Sequence, residues 1–140
     1  MPQWCLGFRR RRENGSAIAE FAMVTALLLF VALGVFQLGL ALYVRNTLIS
    51  AASEGARYGA RADASPDDGV SRTAALITSS LSDAFAEQVR ASVVTTPAGV
   101  RVVQVTVTAP LPVVGPLGPS GMLTVTGRAF SEEQVGGASP

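Results

Sequence analysis

From Phe21 to Val44 the chain carries no charged side chain, and Gln37 is the most polar residue in the run. As a helix rising about 1.5 Å per residue, such a run crosses a bilayer core of roughly 30 Å with some to spare. A chain of 140 residues with this run has room for one span and one small domain beside it. A mean hydropathy of +0.38 agrees with lipid as part of its solvent. The flanks set an expected orientation. Arg9, Arg10, Arg11 and Arg12 precede the run, whereas Arg45 stands alone just beyond it. The positive-inside rule then predicts a single-pass cell membrane protein, N-terminus cytoplasmic and C-terminal domain extracytoplasmic. A cleaved secretory signal fits less well, because the run exceeds a signal h-region and no clear A-x-A site closes it.

Inside the lip of this run sits one acid, Glu20. A carboxylate in or beside hydrocarbon costs kilocalories unless it has a partner, so it points to function. If a peptidase cut after Gly15, Ser16 would become the first residue, and its new α-amino group would lie one helical turn from Glu20. The two charges could meet within one chain, or pair between staggered chains and set their register. The plainer alternative is an acid in the first turn of a helix, favoured by the macrodipole.

The residues Arg12-Glu13-Asn14-Gly15, followed by Ser16-Ala17-Ile18-Ala19-Glu20-Phe21, resemble a type IV prepilin processing site. The Glu20-Phe21 pair is similar to the Glu-aromatic pair of the tight-adherence (Flp) branch. Ala51-Ala52-Ser53-Glu54-Gly55-Ala56-Arg57 resembles the segment after the membrane helix in TadE-like pilus assembly proteins. The resemblance is strong over about the first sixty residues and holds beyond them only by layout. It implies a pseudopilin: a basic leader removed by prepilin peptidase between Gly15 and Ser16, one membrane helix, and a small outward domain. Its partners would be the membrane, the peptidase and other pilin or pseudopilin subunits.

Beyond Val44 the helical pattern continues without proline to Arg61. Leu48, Ala52, Gly55, Ala56, Gly59 and Ala60 recur at three- and four-residue steps as a stripe of small and apolar side chains. Gly55 and Gly59 form a small-xxx-small step that permits close backbone approach. Packing on the domain's own strands is the expected use, ahead of a subunit contact. Glu54 and Arg57 fall on neighbouring turns and are expected to pair. A second helix is announced by Ser65 as N-cap, Pro66 at the first position and Asp68 at the third. Its expected buried face is Val70, Ala74, Ile77, Leu81 and Phe85.

After Glu87 the period changes from helical to alternating. Strands are expected over 89–96, 103–108 and 122–130, the first two joined at Pro97-Ala98-Gly99. Pro110, Pro112, Pro116 and Pro119 mark a loop. The fold expected is α+β: a long membrane-spanning helix continuing into a small domain with an amphipathic helix and a three-stranded antiparallel sheet. The divisions are a leader over 1–15, a span over 16–44, a helix extension over 45–62, an outer domain over 63–130 and a flexible tail over 131–140.

Catalytic chemistry finds no footing in the sequence. Histidine is absent and Cys5, in the leader, is the one cysteine, so a disulfide within the chain and a Cys/His metal site are excluded by count. No Gly-rich phosphate loop or G-x-S-x-G elbow occurs. No catalytic residue, cofactor, metal or small-molecule substrate is therefore expected. A net charge of +1 and ungrouped downstream arginines give no sign of nucleic-acid binding. Two readings stand: a processed pseudopilin, or an uncleaved single-pass envelope anchor whose outer domain binds a partner. A membrane-tethered enzyme is the disfavoured third.

Overall fold

The computed structural model describes residues 10–112 and 121–133, with side chains described from residue 15 onward. Helix α1 runs Arg10–Gly59, and helix α2 runs Pro66–Ser80, followed by a short 3-10 turn at Asp83–Phe85. Strands β1 (Gln88–Thr95), β2 (Arg101–Pro110) and β3 (Met122–Phe130) form one antiparallel sheet in the order β1-β2-β3. The α+β architecture with one long apolar helix is therefore as expected from the sequence. The chain divides into two compact units, Met1–Leu38 and Gly39–Pro140.

In the first unit, α1 from Phe21 onward carries no charge and is apolar and exposed on nearly every side. Phe21, Leu27, Leu29 and Phe36 are each at least 60 % accessible. A helix with no polar face and no protein cover needs an apolar solvent. Residues 15–59 contain the chain's candidate membrane span among the described residues, and only 6 % of its most apolar window is buried.

In the second unit, helix and sheet share a core. Val44, Leu48, Ala52 and Ala56 of α1 meet Ile77 of α2 and Val105, Val107 and Val125 of the sheet. The alternation of β2 explains its part: Val103, Val105, Val107 and Ala109 point inward and are buried. On the opposite face Gln104 accepts a 2.9 Å hydrogen bond from Arg128 Nε, across the register pair Gln104↔Arg128. The β1–β2 hairpin closes through Gly99, whose φ of +79° suits a residue without Cβ. Its N–H donates to Thr96 O at 2.8 Å, and Thr96 N–H donates to Val100 O at 2.8 Å.

The start of α2 is a capping box. Ser65 N–H donates to Asp68 Oδ2 at 2.8 Å, and Asp68 N–H donates to Ser65 Oγ at 3.3 Å. The Ser65 hydroxyl also donates to Asp68 Oδ2 at 2.7 Å. These donors hold the Asp68 carboxyl below the usual carboxylate range, the side-chain bond from Ser65 first and its backbone bond second.

Several local expectations are corrected. Helix α2 stops at Ser80, and Leu81 N–H closes it on Ile77 O at 2.8 Å, so Phe85 lies on the 3-10 turn beyond. Its buried line is Gly69, Thr73 and Ile77, while Val70, Ala74 and Leu81 flank it half-buried. The stripe is thus rotated toward the smaller residues, because α1 comes too close for larger ones. Pro110 is the last residue of the central strand, paired with Met122, where a missing N–H at the strand end is tolerated. Glu54 and Arg57 do not pair; the ion pairs among the described residues are Arg61–Asp63 at 3.0 Å and Arg101–Glu133 at 3.4 Å. After β3 the chain is anchored: Ser131 is buried and Glu132 N–H donates to Ala60 O at 2.8 Å. Cys5, Arg9, Pro116 and Pro119 lie outside the described residues.

Candidate functional site

The segment Gly15–Glu20 lies wholly within α1, and each of its side chains is exposed. Ser16 and Glu20 are one turn apart and so share a helix face, continued by Met23, Val24 and Leu27. Between Gly15 and Val44 this stripe carries the run's single charge, Glu20. A Cβ built at Gly15 has no neighbour within 4 Å, so the site is not enclosed by the described protein.

The position of Glu20 removes the plainest account of it. Helix α1 begins at Arg10, more than two turns before Glu20. The macrodipole acts within the first turn, so in the uncut chain it does not favour an acid this far along. A cut before Ser16 would move the helix start to within a turn of Glu20 and create an ammonium on the same face.

Gly55 and Gly59 are placed against α2, where the sequence reading put the strands. A Cβ at Gly55 would meet Thr73 Oγ1 and would stand 2.6 Å from Gly69 O. A Cβ at Gly59 would stand 3.0 Å from Ser65 O and 3.2 Å from Gly69 Cα. Three glycines, Gly55, Gly59 and Gly69, thus bring the two helix backbones together. Buried Thr73 fills the gap, with Gly69 O at 2.8 Å and Ala51 O at 3.4 Å as acceptors for its one hydroxyl proton. The contact to the strands is made by a residue the sequence reading passed over, Gly127 of β3. A Cβ there would run into the Ala52 carbonyl group and Ser53 N of α1. A glycine inside an otherwise alternating strand was the available signal of a close backbone approach.

Among the described residues no three His, Cys, Asp or Glu side chains group as a metal site. Asp68 serves the α2 cap, Asp63 and Glu133 make surface ion pairs, and Glu20 is separate from them.

Comparison with known proteins adds one positive finding. Residues 15–57 match the model of the TadE-like protein family. The match starts at Gly15 and ends at Arg57, spanning the apolar run and the Gly55 part of the helix–helix contact. No curated protein and no solved structure matches the chain. Over residues 15–57 the chain is therefore similar to the TadE-like protein family, and the same segment holds a helix long and apolar enough to cross a membrane.

Proposed function

We propose that the chain is a pseudopilin-like subunit for assembly of a tight-adherence pilus or a related secretion apparatus. Its helix stores it in the cell membrane with the leader in the cytoplasm and the α+β domain outside. Prepilin peptidase hydrolyses the Gly15–Ser16 bond: water is consumed, Gly15 leaves with a carboxylate, and Ser16 gains an ammonium. Glu20 then pairs with the Ser16 amine of a neighbouring processed subunit.

The observation that carries this reading is a single carboxylate on a bare apolar helix, five residues after the glycine where the TadE-like match begins. An ammonium one turn away supplies the partner that a carboxylate near hydrocarbon requires.

The test is Glu20→Gln. The scissile bond lies a turn earlier, so the variant is cut and inserted like the wild type. It fails to co-purify with the other pilin subunits, because the amide leaves the Ser16 ammonium uncompensated, a loss that can reach about 3–5 kcal/mol. Wild-type amounts of complex would remove the pairing role and leave Glu20 with no role beyond its own helix.

A further inference from the structure

The bond assigned to cleavage is inside a helix, and peptidases cut chain that is locally extended. Helix α1 includes every residue from Arg10 through Ser16 and onward to Gly59. In helical geometry each N–H bonds the carbonyl four residues back, so extending residues 13–17 breaks the bonds at both ends of that stretch. Among the described residues no tertiary contact adds to them at the bond itself, since nothing lies within 4 Å of a Cβ built at Gly15. The helix alone resists opening.

The sequence at this point is weak in helix propensity. Asn14-Gly15-Ser16 sets a glycine between two side chains that compete for backbone hydrogen bonds, which no other glycine of α1 has as neighbours. The other glycines of α1 stand singly: Gly34 and Gly39 in the apolar run, Gly55 and Gly59 where close packing holds the helix. After Ser16 come Ala17, Ile18 and Ala19, and then the apolar run, so the weak stretch ends where the strong one begins.

Resting on the processing proposal, we infer that Asn14-Gly15-Ser16 is an unwinding element that regulates cleavage. The uncut chain is protected while α1 is closed, and is cut in proportion to the fraction of time these residues are open. Gly15 then acts through helix opening as well as through small size at the bond. Glycine at this position raises the open fraction, and any better helix former lowers it.

The experiment uses the full unprocessed chain in vesicles of phosphatidylethanolamine and phosphatidylglycerol, with purified prepilin peptidase added. Gly15→Ala is cut about 5-fold more slowly, matching the ~1 kcal/mol gap in helix propensity between the two residues. Asn14→Ala is cut about 3-fold more slowly on the same scale. Adding Glu13→Gly to Gly15→Ala restores most of the rate, because it loosens the turn without enlarging the residue at the bond. Amide exchange at Ser16 and Ala17, measured without peptidase, slows in the alanine variants by the same factors.

Wild-type cutting rates in both alanine variants would overturn the inference and leave processing standing. Slow cutting with unchanged exchange and no rescue by Glu13→Gly would overturn it too, assigning the effect to size at the bond. A wild-type chain that is never cut would remove the processing reading and this inference together.

Discussion

Gly55→Ala puts the helix–helix contact to its most direct test. In an isolated helix the change would stabilise by about 1 kcal/mol, through propensity alone. Here the new methyl would meet Thr73 Oγ1 and stand 2.6 Å from Gly69 O, where 3.4 Å begins ordinary contact. Helix α2 must retreat by about 0.8 Å to make room, in an interior packed as densely as a crystal. Overpacking of this kind costs about 1–3 kcal/mol. Retreat also strains the buried Thr73 hydroxyl, whose nearer acceptor is Gly69 O at 2.8 Å, and an unsatisfied buried group costs about 1–3 kcal/mol. Set against the propensity gain, the expected net loss is about 2 kcal/mol. The assay is amide exchange at Val105 and Val107, core residues of the central strand that exchange when the unit opens. Their exchange should quicken by about 30-fold. Gly39→Ala, with nothing within 4 Å of its Cβ, should leave them unchanged. Exchange in Gly55→Ala at or below the wild-type rate would refute the reasoning, because propensity would then outweigh contact.

Gly127→Ala should be at least as damaging in the same assay, since its Cβ would strike backbone atoms of α1 that no rotamer change can move. At the α2 cap, Ser65→Ala should cost about 1 kcal/mol and move the Asp68 titration midpoint, followed by its carboxyl-carbon NMR shift, up toward the ordinary value. Because folding depresses this pKa, the cap's contribution is present above the unfolded carboxylate range and fades as pH falls through the folded value; an unmoved midpoint would show that Ser65 is not the cause. Protease added outside spheroplasts should digest the strand-rich domain and leave a protected fragment of about 30–45 residues, whereas full protection of that domain would reverse the orientation.

Local chemistry was readable from the chain, and spatial partnership was not. The start of α2 needed only Ser65, Pro66 and Asp68, which act on each other within one turn. The bounds of β3 followed from its alternation and its flanks. The Leu48, Ala52 and Ala56 stripe was visible as a period, but what it faced depended on folding: α2 took Gly55 and Gly59, and the sheet reached α1 at Gly127. The end of α2 was misread because Leu81 and Phe85 continue the apolar period past Ser80, although the chain turns away there. Glu54 and Arg57 had suitable spacing but gain little from pairing in water, so spacing alone did not bring them together. At the candidate site the residues were named from sequence. The structure added that the Gly15–Ser16 bond lies inside α1 and that Glu20 is too far along the uncut helix for the macrodipole.

Whether the leader is lost is decided by the intact mass of the membrane-bound protein from cells making prepilin peptidase. The expected species lacks residues 1–15 and begins at Ser16, and in cells without the peptidase it begins at Met1. A chain that keeps Met1 in both would contradict the pseudopilin reading and leave a permanent membrane anchor.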